Sequence, residues 1–93
     1  MDLLLILFRD SYCDICSLVL RELLNNPLNC DVVVRNIDNN YNSSIIKKYK
    51  LKEYPTSILV DLDRNKQIHR FIGFVDSETI NNKIKEYESK YVV

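Results

Sequence analysis

The chain of 93 residues has no Trp, a single Gly, one His, one Met and two Pro, and Ala is missing altogether. Scarce Gly, Pro and Ala beside abundant Asn, Ile, Lys and Tyr point to an AT-rich coding sequence, which is a mark of origin and not of chemistry. There is no excess of either charge, since thirteen Lys and Arg balance thirteen Asp and Glu. Without a basic excess nothing displaces phosphate counterions, so a nucleic-acid partner is not expected. The longest unbroken apolar run, Leu3–Phe8, spans six residues, against about 20 for a membrane-spanning helix. It lacks the basic leader and small-residue cleavage site of a signal peptide. These absences predict a soluble, cytoplasmic protein with no membrane partner. No repeat, linker or low-complexity stretch divides the chain, and its length suits one domain over residues 1–93. Its 46% hydrophobic and 28% charged content is that of a folded chain and not of a disordered one.

What is present is periodic. Leu3–Phe8 reads as a strand covered on both faces. Cys16, Val19, Leu20, Leu23 and Leu24 fall on one face of a helix, which Asn25-Asn26-Pro27 ends. Cys30–Ile37, with Val32-Val33-Val34, reads as a second strand. A turn starts at Asn39-Asn40, and Ser43 or Ser44 can cap a short helix holding Ile45, Ile46 and Tyr49. Pro55 precedes a third strand, Thr56–Leu62, where a Pro costs no ladder hydrogen bond. Asp63-Arg64-Asn65-Lys66 supplies a hairpin turn into a fourth strand, Gln67–Ile72, closed by Gly73. Asp76-Ser77 offers an N-cap to a last helix with Ile80, Ile84, Tyr87 and Tyr91 on one face. The order βαβαββα predicts an α/β fold, a four-stranded mixed sheet flanked by three helices, with two parallel crossovers and a terminal hairpin.

The three Cys are an odd number, which argues against a disulfide framework. Two of them, in Cys13-Asp14-Ile15-Cys16, stand at i and i+3 on the first turn of a helix. That spacing is within the Cα separation of about 4.4–6.8 Å that a disulfide needs. So short a loop gains little stability from closure, so the bond is read as one to be made and broken. Cys16 opens the apolar stripe and is expected to be buried. Cys13 precedes it at the helix N-terminus, where free N–H groups and the positive dipole end favour a thiolate. Cys13 is thus the attacking sulfur and Cys16 the resolving one. Asp14, one residue on, opposes the Cys13 thiolate, which predicts a nearly ordinary thiol and a reducing pair.

With the strand, the Cys-x-x-Cys at a helix start, Tyr54-Pro55-Thr56 before a later strand and Gly73 before the last helix, nearly the whole chain resembles the thioredoxin family. Tyr12-Cys13-Asp14-Ile15-Cys16, Asn36-Ile37-Asp38, Tyr54-Pro55-Thr56 and Phe71-Ile72-Gly73 carry the resemblance. It implies the thioredoxin-like fold and a cis Pro55 set against the Cys pair. It also implies a substrate groove formed by Tyr12, Asp14, Ile15, Tyr54, Pro55 and Gly73. Tyr12 stands in place of the family's usual Trp. Leu7 takes the place of the buried Asp that assists the resolving thiol, and Val34 that of a nearby Lys. The N-terminal strand and helix of full-length thioredoxins have no counterpart in these residues. The last three absences lean toward glutaredoxins and small glutaredoxin-like redoxins, yet the glutathione-holding Gly-Gly of glutaredoxins is here Gly73-Phe74, although Asp76 remains.

The resulting expectation is a thiol–disulfide oxidoreductase of the disulfide-reductase type, acting as a monomer on disulfide-containing proteins. Its only redox group is the Cys13–Cys16 pair, with no separate cofactor, and an external reductant, a thioredoxin reductase-like enzyme or glutathione, restores it. The alternatives are a glutathione-dependent redoxin and a non-catalytic interaction module on the same fold. Zinc held by Cys13, Cys16, Cys30 and His69 would draw on two strand residues without a motif of their own, and no metal site is assigned. Cys30 is read as a partly buried structural thiol and His69 as a surface residue. The six Tyr are placed mostly in helical core stripes, with Tyr12 and Tyr54 beside the groove.

Overall fold

The computed structural model describes residues 2–37 and 43–91. The expected turn at Asn39-Asn40 and the motif residue Asp38 lie outside them. Seven elements follow in order: β1 (Leu3–Arg9), α1 (Asp14–Asn25), β2 (Asp31–Asn36), α2 (Ser43–Tyr49), β3 (Thr56–Asp61), β4 (Lys66–Ile72) and α3 (Ser77–Glu88). The strands form one mixed sheet in the order β2-β1-β3-β4. β1 runs parallel to β2 and antiparallel to β3, and β3 is antiparallel to β4. Only one parallel crossover therefore exists, β1-α1-β2, where two were expected. The chain leaves β2 beside the end of β1 and, after α2, comes back to that same end. Thr56 pairs with Phe8 there, so β3 has to run the other way.

The central strands need apolar residues on both faces, and β1 and β3 supply them. Side chains alternate across a strand, and Leu3, Leu5 and Leu7 join Val19 and Leu23 of α1 and Ile80, Ile84 and Tyr87 of α3 in one core. Ile6, Phe8, Ile58 and Val60 form the second, beneath Ile45, Ile46 and Tyr49 of α2. The result is a three-layer sandwich, and every residue of β3 is buried. No helix among the described residues is long and apolar enough to cross a membrane.

Three expectations about packing are corrected. Leu24 lies on the apolar stripe of α1 but is 75% exposed, because the helix rests on the sheet through Cys16, Val19 and Leu23 and the stripe extends past that contact. Tyr91 falls beyond the end of α3 and is also exposed, although its ring still packs on Tyr87 at 5.0 Å. Of the described Tyr residues only Tyr87 is buried. The phenol ring is long enough to leave its hydroxyl at the surface, so the other stripe positions are only partly covered.

At the far end of β3, Asp61 is fully buried. Its carboxylate accepts from the Tyr87 hydroxyl at 2.7 Å and from Arg64 at 3.0 Å. Arg64 in turn lies over the Tyr91 ring at 4.0 Å. Burial alone would push the Asp61 carboxyl up, but the hydrogen bonds from Tyr87 and Arg64 outweigh it and hold it below the usual carboxylate range. This clasp joins α3 to the β3–β4 hairpin.

Candidate functional site

Local chemistry at the end of β1 sets the site. After Arg9 the backbone turns, with the Tyr12 N–H donating to Asp10 Oδ1 at 3.3 Å and the Cys13 N–H to the Asp10 carbonyl at 3.3 Å. Cys13 is the N-cap of α1, in extended conformation (φ −110°, ψ 109°). An N-cap side chain normally accepts from an unpaired N–H of the first turn, and here the acceptor is sulfur. The Cys16 N–H points at Cys13 Sγ from 3.0 Å. Cys13 and Cys16 are joined as a disulfide, their Cα atoms 5.2 Å apart. Cys13 is half-buried and Cys16 fully buried. Cys13 is therefore the member of the pair that keeps solvent exposure, and Cys16 has none.

A second loop closes over the pair. The Tyr54–Pro55 peptide is cis, and Cys13 Sγ lies 3.7 Å from the Tyr54 carbonyl oxygen. Thr56 Oγ1 donates to the Glu53 carbonyl at 2.6 Å, which holds this loop at the start of β3. Gly73 donates its N–H to the Pro55 carbonyl at 2.9 Å and has φ +82°. A Cβ there would meet nothing within 4 Å, so it is backbone conformation and not space that calls for Gly. Tyr54 is half-buried, and burial first, then the charge of Asp10, push its phenol above the ordinary value.

The structure thus brings Cys13, Cys16, Tyr54, Pro55 and Gly73 together. Tyr12, 97% exposed, stands out from the surface next to Cys13, and Asp14 and Ile15 are exposed on the first turn of α1. Phe74 and Ile72 add exposed apolar surface on either side of Gly73. Leu7 is fully buried. Asp76 caps α3, its carboxylate accepting from the Thr79 N–H at 2.8 Å.

Cys30 and His69 are not drawn into this cluster. Cys30 precedes β2 near the opposite end of β1 and packs against the core shared by α1 and α3. Burial pushes its thiol up to about 11, with Asp31 and Glu88 adding to the rise against a backbone hydrogen bond at Leu5. The His69 ring meets the Phe71 ring edge-on at 4.7 Å. Among the described residues no group of three or more His, Cys, Asp or Glu side chains is placed to hold a metal ion.

Arg9 belongs to the site's surroundings and was not anticipated. Its guanidinium reaches Ser17 Oγ at 3.5 Å, directly after Cys16, while its Nε is buried without a hydrogen-bond partner. The available signal was a lone cation closing an otherwise apolar strand, four residues ahead of the first Cys.

No protein-family model matches the chain, and no curated protein sequence matches it. Solved structures do. Thioredoxin 1 from the thermophilic eubacterium Thermosipho africanus is 22% identical with a TM-score of 0.71, over 95% of this chain and 97% of its own. Thioredoxin-2 of a malaria parasite is 23% identical with a TM-score of 0.72, over 91% of this chain and 82% of its own. Chloroplastic thioredoxin z is 22% identical with a TM-score of 0.71, over 95% of this chain and 80% of its own. The fold is therefore thioredoxin-like.

Proposed function

We propose that the protein is a thiol–disulfide oxidoreductase of the disulfide-reductase type. The observation that carries this reading is the Cys13–Cys16 bond itself. It closes a loop of two intervening residues at a helix N-terminus, with Cys13 half-buried and Cys16 fully buried. Such a bond adds little stability, whereas its position supports thiolate chemistry.

In the reduced protein the Cys13 thiolate attacks one sulfur of a substrate disulfide, forming a Cys13–substrate bond and expelling the other substrate sulfur as a thiolate that takes up a proton. The N–H of Cys16 and the positive end of α1 stabilise negative charge on Cys13 Sγ before attack. Cys16, deprotonated, then attacks Cys13 Sγ, restoring the Cys13–Cys16 bond and releasing the second substrate thiolate. Two electrons pass from the pair to the substrate, and an external dithiol or two molecules of a monothiol return them. A reductase protein or glutathione would serve. Disulfide-containing proteins are the substrate class, with the Tyr54-Pro55 loop and Gly73 as the surface where their backbone docks beside Asp14 and Ile15.

Reduction of insulin disulfides by the 93-residue chain with dithiothreitol tests this. Cys13→Ser is expected to abolish turnover above the dithiothreitol background, and pre-reduced Cys16→Ser, freed of dithiothreitol, to stop at a mixed disulfide on Cys13. Turnover unaffected by Cys13→Ser would overturn the mechanism.

A further inference from the structure

The two edges of the sheet are treated differently. β4 carries Lys66, Gln67, His69 and Arg70 and has a register irregularity opposite Leu59 and Val60. Charge and a bulge are the usual defences of an edge strand. β2, at the other edge, pairs with β1 in unbroken register. Its sequence Asp31-Val32-Val33-Val34-Arg35-Asn36 holds no Lys, Pro or Gly. Val32 and Val34 are 38% and 41% exposed, and neither Asp31 nor Arg35 has an ion-pair partner among the described residues.

We propose that this edge pairs with the same edge of a second copy, antiparallel and centred on Val33. The strand is complementary to itself in that register. Val33 faces Val33 of the other copy, Val32 faces Val34, and Asp31 faces Arg35. Because side chains alternate, Asp31, Val33 and Arg35 lie on one face, so a valine contact there is flanked by two opposite-charge pairs. Two Val32–Val34 contacts fill the other face. Parallel pairing in register would set Asp31 on Asp31 and Arg35 on Arg35, and a slip of two residues removes the charge pairs. The two-fold arrangement uses the same patch on both copies and joins two four-stranded sheets into one of eight. It closes at the dimer because the β4 edges are protected. In this register Cys30 faces Asn36, so the association is not a Cys30–Cys30 disulfide.

A six-residue edge is short of the roughly 1,200 Å² typical of a stable complex. The dimer is accordingly weak and concentration-dependent, in place of the monomer expected above. Sedimentation equilibrium of the full chain under reductant, from about 10 μM to 1 mM, reads it. The mass is expected to rise from 11.0 kDa toward twice that value. Asp31→Arg and Arg35→Asp each turn two opposite-charge contacts into two like-charge ones and should weaken association at least tenfold. The double variant recreates the pairs with signs exchanged and should recover dimerisation to within about threefold. Both positions are exposed, so circular dichroism should show an unchanged fold. A wild-type mass fixed at the monomer value overturns the proposal. So do single variants that dimerise normally or a double variant that stays dissociated.

Discussion

Cys13 Sγ feels opposing influences from its immediate neighbours. The Cys16 N–H at 3.0 Å and the helix N-terminus favour its thiolate, while the exposed carboxylate of Asp14 one residue away disfavours it. Each is worth about 0.3–1 kcal/mol when solvent screens it. We expect the two influences to offset each other, so that in the reduced protein the Cys13 pKa is displaced little from that of an ordinary thiol. At 1.36 kcal/mol per pH unit, Asp14→Asn should lower that value by up to about 0.7 unit. Thiol titration by ultraviolet absorbance checks both, and a wild-type thiol ionised below pH 6 would show that Asp14 does not govern the site. The spacing of the Cys pair made its bond and its place at the start of α1 legible. Arg9 was not, because its approach to Ser17 depends on how the end of β1 lies under the first turn of α1.

At the level of elements, helix positions with the same pattern have unequal energetic weight. Ile84 of α3 is fully buried in the core shared with α1 and β1, whereas Leu24 of α1 is mostly exposed. Truncating a buried Ile removes its transfer free energy and leaves a cavity, at a cost of about 2–5 kcal/mol. Exposed apolar side chains change stability by about 0.5 kcal/mol or less. Urea denaturation of Ile84→Ala and Leu24→Ala should therefore separate two residues that a helical wheel treats alike. A cost for Leu24→Ala matching that of Ile84→Ala would mean that α1 packs differently. The cap of α3 at Asp76 was readable from sequence, since an Asp-Ser step before an apolar stripe is a local signal. The direction of β3 was not, because it depends on which end of the sheet the chain returns to after α2.

Acid stability belongs to the whole molecule. Asp61 and Asp76 are both held below their ordinary carboxylate range. For Asp61 the hydrogen bonds of Tyr87 and Arg64 prevail over burial, and for Asp76 the cause is hydrogen bonding to Thr79. A carboxyl whose pKa is lower in the folded state contributes stability that is fully present above the unfolded value of about 3.9. That contribution is lost as pH falls through the folded pKa. The urea midpoint is expected to drop as the pH falls below about 4, and less steeply in Asp61→Asn, which cannot lose the same proton linkage. Parallel pH profiles for the two proteins would show that the clasp is not what acid undoes.

The hydrophobic pattern by itself determined the seven elements, the two-sided burial of β1 and the position of the Cys pair at a strand-to-helix junction. All of these follow from spacing within a few residues, where backbone geometry leaves little choice. Tertiary structure decided what depends on residues far apart in the chain. The Tyr54 carbonyl reaches Cys13 across 41 positions and Tyr87 reaches Asp61 across 26. The same holds for the fate of β2. Its valines are those of a covered strand, yet the sheet order leaves it at an edge. Local periodicity records that a side chain is apolar, and only the assembled sheet determines whether anything covers it.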